Sequence, residues 1–330
     1  MAIYYNKNNC NSPQLCYNID IMKKSLTIIL VIILLLTTTL ALVGCKQSFG
    51  AKNVREQIES NLGWHTGGNE TCVYDVFDGE VNVGTYVSKM SYVYNKTVTI
   101  TTSNEEQNRT IENFSGYKFE TEMSATADGK TYERRSVSYT DLNLAPKLCY
   151  VQEKLDSSVE TITSYDAKRI NATFIVDGAV SDDSVKYKTA LMNYDNSYIY
   201  QFARTTDLTS TLSINVATYS VSSESQKVSK STFGVTYLAN MTASVDNQFL
   251  LDKEVAEGES NLTSAIPSYC CTFTSTNSSL VRGTISCYIS AYPLKMQDGD
   301  KFASRAVVMI KEGKMTYKLK SIEYSYSINA

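Results

Sequence analysis

Runs rich in Tyr, Val, Thr, Ile and Phe that break at Asp-Gly pairs recur from Thr71 onward, and this feature limits the fold most strongly. Residues 72–77 run into Asp78-Gly79 and resume at 81–87, and residues 117–123 lead through Asp128-Gly129 into 131–139. Residues 173–176 stop at Asp177-Gly178, and residues 306–310 turn through Lys311-Glu312-Gly313-Lys314 into 315–319, continuing to Ser327. Asp-Gly suits the two left-handed positions of a tight hairpin turn, whose twist matches that of the strands it joins. Such turns connect neighbours in space, so their succession predicts a mainly β fold (α+β minor). The expected form is a curved antiparallel sheet or half-barrel with a few short helices.

Three short helices are expected. Asn53 caps one that places Val54, Ile58 and Leu62 on a single face. Asp195-Asn196 caps a second, with Tyr198, Ile199 and Phe202 inward and Arg204 outward, and Asp246-Asn247 opens a third with Phe249 and Leu250 inward. A Ser/Thr-rich stretch marks a soft junction between two lobes near 205–232, although the alternation in Leu212-Ser213-Ile214-Asn215-Val216 argues for a strand there.

The start of the chain has a different character. Lys23-Lys24 precede an apolar run over residues 26–42, which ends in Leu42-Val43-Gly44-Cys45. A short basic region, an apolar core and a small-residue cleavage site are the parts of an export signal. The final four residues resemble a bacterial lipobox. That resemblance implies that Cys45 is diacylated, carries palmitate-type chains and begins the mature protein as a lipoprotein on the outer face of a cell membrane. An uncleaved membrane helix is the alternative, because 17 residues lie at the lower edge of a span. Both place everything after Cys45 outside, since the preceding lysines stay cytoplasmic. The division that follows is an extension at 1–21 preceding a better start at Met22, a signal peptide at 22–44, a tether with a short helix at 45–69, and a β-rich extracytoplasmic domain at 70–330.

Loss of residues 1–44 removes Lys7, Lys23, Lys24 and Asp20, leaving 28 basic and 33 acidic residues. A net charge of −5 argues against a nucleic-acid partner, whose phosphates require a basic face. The exported part carries Cys72, Cys149, Cys270, Cys271 and Cys287 besides Cys45. Adjacent Cys270 and Cys271 point to opposite sides of a strand. Cys271 and Cys287 flank a hairpin and are the pair to test for a disulfide.

His65 is the one histidine, so neither an HExxH pair nor a two-histidine metal site can form. GxxxxGK, GxGxxG and GxSxG are absent, leaving nucleotide binding and an ordinary hydrolase nucleophile without support. No catalytic, cofactor-binding or metal-binding residue is assigned. Glu120 with Glu122, and Asp182 with Asp183, are the carboxylate pairs that could serve glycoside hydrolysis if held roughly 5 to 9 Å apart. The chain contains 24 tyrosines, many at strand positions, among them Tyr74, Tyr86, Tyr92, Tyr94, Tyr288, Tyr292, Tyr317, Tyr324 and Tyr326. An aromatic face of that kind can bind apolar or sugar ligands, or can serve only the strand.

Glu70-x-x-x-Tyr74-Asp75-Val76, a turn, and Val83-Gly84-Thr85-Tyr86 resemble the first hairpin of envelope proteins similar to the lipoprotein-localisation carriers, and a helix near 195–204 between two sets of strands fits their layout. The resemblance transfers no functional residue. It implies a concave apolar face able to hold a lipid or acyl chain. Three functions compete: a non-enzymatic lipoprotein binding an apolar or amphiphilic ligand or an envelope partner; a structural or surface-interaction lipoprotein with a filled core; and a carboxylate-dependent envelope glycan hydrolase. An open or filled concave face separates the first two, and facing carboxylates in a cleft mark the third.

Overall fold

Hairpins built on the expected turns account for most of the computed structural model, which describes residues 62, 68–166, 168–186, 198–205, 212–245, 265–275, 284–295, 302–303 and 305–326. The first eight strands are β1 (Gly68–Asp78), β2 (Val81–Ile100), β3 (Arg109–Ala127), β4 (Lys130–Thr140), β5 (Pro146–Lys154), β6 (Ser158–Tyr165), β7 (Arg169–Val176) and β8 (Ala179–Lys186). Helix α1 (Ile199–Arg204) follows. Then come β9 (Leu212–Ser222), β10 (Lys227–Ser244), β11 (Ala265–Ser275), β12 (Thr284–Ser290), β13 (Leu294–Lys295), β14 (Phe302–Ala303), β15 (Val307–Glu312) and β16 (Met315–Tyr326).

Fourteen strands form one antiparallel sheet in the order β8-β7-β6-β5-β4-β3-β2-β1-β16-β15-β12-β11-β10-β9, and β13 pairs with β14 separately. Asp128 and Gly129 both take positive φ, as do Asp177 and Gly178, the signature of type I′ turns. Gly79 and Gly313 alone are positive in their two-residue loops, the place a type II′ turn reserves for glycine. The mainly β, curved antiparallel fold is therefore the observed one. In the described part of the 205–232 stretch, β9 and β10 are paired strands of the same sheet, within the compact unit Ser48–Ala330.

Side chains alternate along each strand, so the sheet has two faces. Glu70, Cys72, Tyr74 and Val76 of β1 are buried on the inner face, where they join Tyr86, Phe119, Val235, Cys271, Cys287, Ile310 and Leu319 in the main core. Leu62 is buried in the same core. The remainder of the helix expected from Asn53, the Asp195-Asn196 cap, the helix expected at Asp246, His65 and the anchor segment lie outside the described residues. Among the described residues no helix is long and apolar enough to cross a membrane.

Helix α1 sits against the inner face and is enclosed by it. Tyr198 and Ile199 are buried as expected, with the Tyr198 ring stacked on Phe119 at 5.5 Å. Arg204 corrects the expectation. Far from pointing outward, its side chain is 1% exposed and forms a two-pronged ion pair with Glu70, itself 4% exposed. Nη1 donates to Glu70 Oε1 at 2.5 Å and to Gln201 Oε1 at 2.7 Å, and Nη2 donates to Glu70 Oε2 at 3.0 Å. The amphipathic reading assumed a solvated side. Arg204 instead faces Glu70 on the inner side of β1, so its cation is paired rather than hydrated.

Two further features shape the sheet. The long β2–β3 hairpin bends where its register shifts near Val93–Val98, with Asn95 and Asn113 at positive φ. Its distal part supplies Val98, Ile100 and Phe114 to a second core with Val137, Tyr150, Ile162 and Ile175. The backbone N–H of Ser103 donates there to Glu160 Oε2 at 3.1 Å, and the Tyr150 hydroxyl donates to the same oxygen at 3.2 Å. The edge hairpins also meet. No ladder joins β8 to β9, but Asp183 Oδ2 accepts from the Val228 N–H at 2.8 Å and Ser181 hydrogen-bonds Gln226. Tyr219 and Val228 pack with Ile170, Ala172 and Phe174 across that seam. The Val228 N–H, helped by Lys227, holds the Asp183 carboxyl below its ordinary range. The sheet thus curves into a barrel-like form closed by side chains.

Gly84 marks a close approach within it. A Cβ there would lie 2.0 Å from the Ser124 carbonyl oxygen and 2.7 Å from the Ala125 Cα, both backbone atoms of β3. Gly84→Ala is expected to force β2 and β3 apart and cost about 1–3 kcal/mol, the range for overpacking. Urea titration of the variant against wild type measures it, and an unchanged midpoint refutes the close fit.

Candidate functional site

The hairpin turns β1–β2, β3–β4, β5–β6, β7–β8, β9–β10 and β15–β16 all fall at one end of the sheet, as an up-and-down connection requires. Helix α1 fills the inner face only in part. Between the helix and the turns lies a cavity of about 630 Å³, open at the turn end. That volume is within the roughly 300–1,000 Å³ usual for small-molecule sites.

Alternation decides what lines it. Met123 and Ala125 of β3, Val151 of β5, Thr161 and Thr163 of β6, and Ile310 of β15 point inward and form the walls. Tyr86, Tyr200 and Tyr317, each buried, form the floor nearest α1. The Tyr86 and Tyr317 rings meet edge to face with centroids 5.3 Å apart, and Tyr74 lies behind Tyr86 at 5.5 Å. Tyr74 is anchored by donating its hydroxyl to the Val307 carbonyl at 2.9 Å.

Charged groups border the floor and the mouth. The Tyr317 hydroxyl donates to Glu312 Oε2 at 3.2 Å and lies 3.6 Å from Met123 Sδ. Burial first, and the Glu312 carboxylate second, push the Tyr200 and Tyr317 phenols well up, so both remain protonated. Burial also pushes Tyr86 up, while Arg134 pulls it down and Glu312 adds to the rise. Arg134 Nε lies 3.5 Å from Glu153 Oε1, which also accepts the Tyr132 hydroxyl at 2.8 Å. Lys130 Nζ pairs with Asp156 at 3.0 Å.

Of the residues singled out in the sequence, Tyr86 and Tyr317 reach the cavity, whereas Tyr94 is exposed. Glu120 and Glu122 sit on the opposite face of β3 from Met123, and Glu120 pairs with Lys118 at 2.8 Å. Asp182 and Asp183 lie next to each other within β8 and so project to opposite faces. Asp182 accepts the Thr173 hydroxyl at 2.6 Å, and Asp183 holds the seam. Neither pair lines the cavity.

Cys271 and Cys287 stand directly opposite each other in the β11–β12 register, both fully buried and both free thiols. Cys270 faces away from Cys271 and places Sγ 3.6 Å from Thr272 Oγ1. Cys45 lies outside the described residues. Among the described residues no group of three or more His, Cys, Asp and Glu is placed to hold a metal ion. Sequence reasoning missed Tyr200 and Glu312. Tyr200 lies on the side of α1 that an amphipathic reading assigns to solvent, and Glu312 follows the buried run of β15 with only its strand parity to mark it.

No protein-family model matches the chain, and no curated protein matches it. Among solved structures it is similar to a β-barrel-like protein of the domain of unknown function DUF1849 from Brucella abortus, with 10% sequence identity and a TM-score of 0.40. That likeness covers 79% of this chain and 99% of the other.

Proposed function

We propose that this chain is a membrane-anchored extracytoplasmic lipoprotein that binds an amphiphilic ligand in its barrel-like domain and performs no catalysis. The observation carrying the ligand reading is the cavity of about 630 Å³ between α1 and the hairpin turns, walled by Met123, Val151 and Ile310 and floored by tyrosines. A filled inner face would have favoured a purely structural role, and α1 fills only part of it. The anchor reading rests on Lys23-Lys24, the apolar run and Leu42-Val43-Gly44-Cys45. An envelope location suits such a ligand, since amphiphiles are abundant beside a membrane and must be shielded from water to leave it.

Filling the cavity tests this. Thr161 faces it from β6 and is 9% exposed. Thr161→Trp places a large ring in the open volume. The full chain carrying Cys45→Ser, freed of detergent, is expected to bind a hydrophobic fluorescent dye saturably, with the added Thr161→Trp weakening binding at least tenfold. Equal dye binding by both chains, with circular dichroism unchanged, would place the dye elsewhere and remove the reading.

A further inference from the structure

The cavity floor has a chemistry of its own. Tyr86, Tyr200 and Tyr317 reach it from β2, α1 and β16, so three separate elements converge there. Glu312 ends β15 beside them, half-buried, and takes the Tyr317 hydroxyl at 3.2 Å. An aromatic face carries a negative quadrupole, and a carboxylate partly withdrawn from water carries a full negative charge. An organic cation is attracted by both. An inorganic cation keeps a tight hydration shell that such rings cannot replace, whereas an alkylammonium group is weakly hydrated and matches them.

The surrounding charges point the same way. Asp128, Glu153, Glu224 and Glu312 line the cavity against Lys130 and Arg134, a net of −2. Both cations are engaged, Arg134 by Glu153 and Lys130 by Asp156. An anionic head would have to break one of those pairs or sit beside Glu312. An ammonium head meets a lining whose net charge is negative and whose cations are already paired.

We infer that the cavity takes a ligand with an alkylammonium head and an apolar tail, the head held by Glu312 among Tyr86, Tyr200 and Tyr317, and the tail lying along the apolar walls of Met123, Val151 and Ile310. This rests on the amphiphile-binding reading above and adds the head-group class to it.

Probes with one tail and three heads separate the two ideas. Octyltrimethylammonium, octanoate and octanol are titrated calorimetrically, below micelle formation, into the full chain carrying Cys45→Ser. The ammonium compound is expected to bind at least tenfold more tightly than octanoate. Adding Glu312→Gln is expected to abolish that preference while leaving octanol affinity unchanged, which also shows that the variant is folded. Adding Glu224→Gln, at the rim, is expected to keep the preference. Equal affinity for ammonium and octanoate in the unsubstituted cavity, or a preference that survives Glu312→Gln, overturns the cation assignment. A preference lost equally in Glu224→Gln assigns it to the general field of the mouth and also overturns it. Failure of octanol itself to bind removes the amphiphile reading beneath.

Discussion

Arg204→Met is expected to destabilise the protein by about 3–5 kcal/mol, the cost of leaving one member of a buried ion pair without its partner. Arg204 and Glu70 are 1% and 4% exposed, so water cannot replace the lost guanidinium. The stranded carboxylate sits beside the Cys72 thiol, 3.8 Å from Oε1; burial keeps that thiol protonated, and it can offer only a weak S–H donor in place of the guanidinium. Glu70 must then take up a proton or pull the helix out of place. Replacing both partners, Glu70→Leu with Arg204→Met, removes the charge along with its partner and is expected to recover most of the loss, because an apolar pair of similar volume has no desolvation cost. Urea denaturation of the four chains in a double-mutant cycle reads the coupling. A single variant within 1 kcal/mol of wild type would mean that the pair contributes little to holding α1.

Cys45→Ser is expected to abolish incorporation of a palmitate analogue and to move the protein from the membrane to the soluble fraction. The effect should be close to all-or-none. Each buried methylene contributes about 0.8 kcal/mol, so two or more acyl chains hold a protein that a single chain releases readily. The uncleaved-helix reading predicts another result, because residues 26–42 would then hold the variant in the membrane whatever stands at position 45. Equal labelling of the two chains defeats the lipoprotein reading, and retention without labelling supports the helix.

The hairpins were legible because their information is local. Asp128-Gly129 and Asp177-Gly178 fix φ within two residues, and Tyr, Val and Thr at period two fix the strands beside them. What stayed hidden depends on residues far apart in the chain. The seam needs Asp183 to meet Val228, and the cavity floor needs Tyr86, Tyr200 and Tyr317 to converge from three elements. Arg204 left a trace that could have been followed. Glu70 shares the parity of Cys72, Tyr74 and Val76, so a carboxylate was bound for the apolar face and required a buried cation. Basic residues near the apolar pattern of α1 were the natural place to look. Glu120 with Glu122 misled for the opposite reason. Spacing by two guarantees a shared face, but nothing in the pair says which face is inside.

The strand order has a consequence for how the chain assembles as it emerges. Apart from the short β13–β14 pair, each strand of the sheet lies beside its predecessor or successor, except at β1, whose free side is met by β16, and at the seam between the edge hairpins. Strands β1 to β8 can therefore zip together from local contacts alone, which favours rapid formation. During that interval β1 presents an unsatisfied row of backbone N–H and C=O groups, the template on which other chains can polymerise. Among the described strands it is β16 that covers it. A chain interrupted anywhere before Met315 is thus left with β1 uncapped, and truncated forms should aggregate through β1 rather than unravel from their cut end.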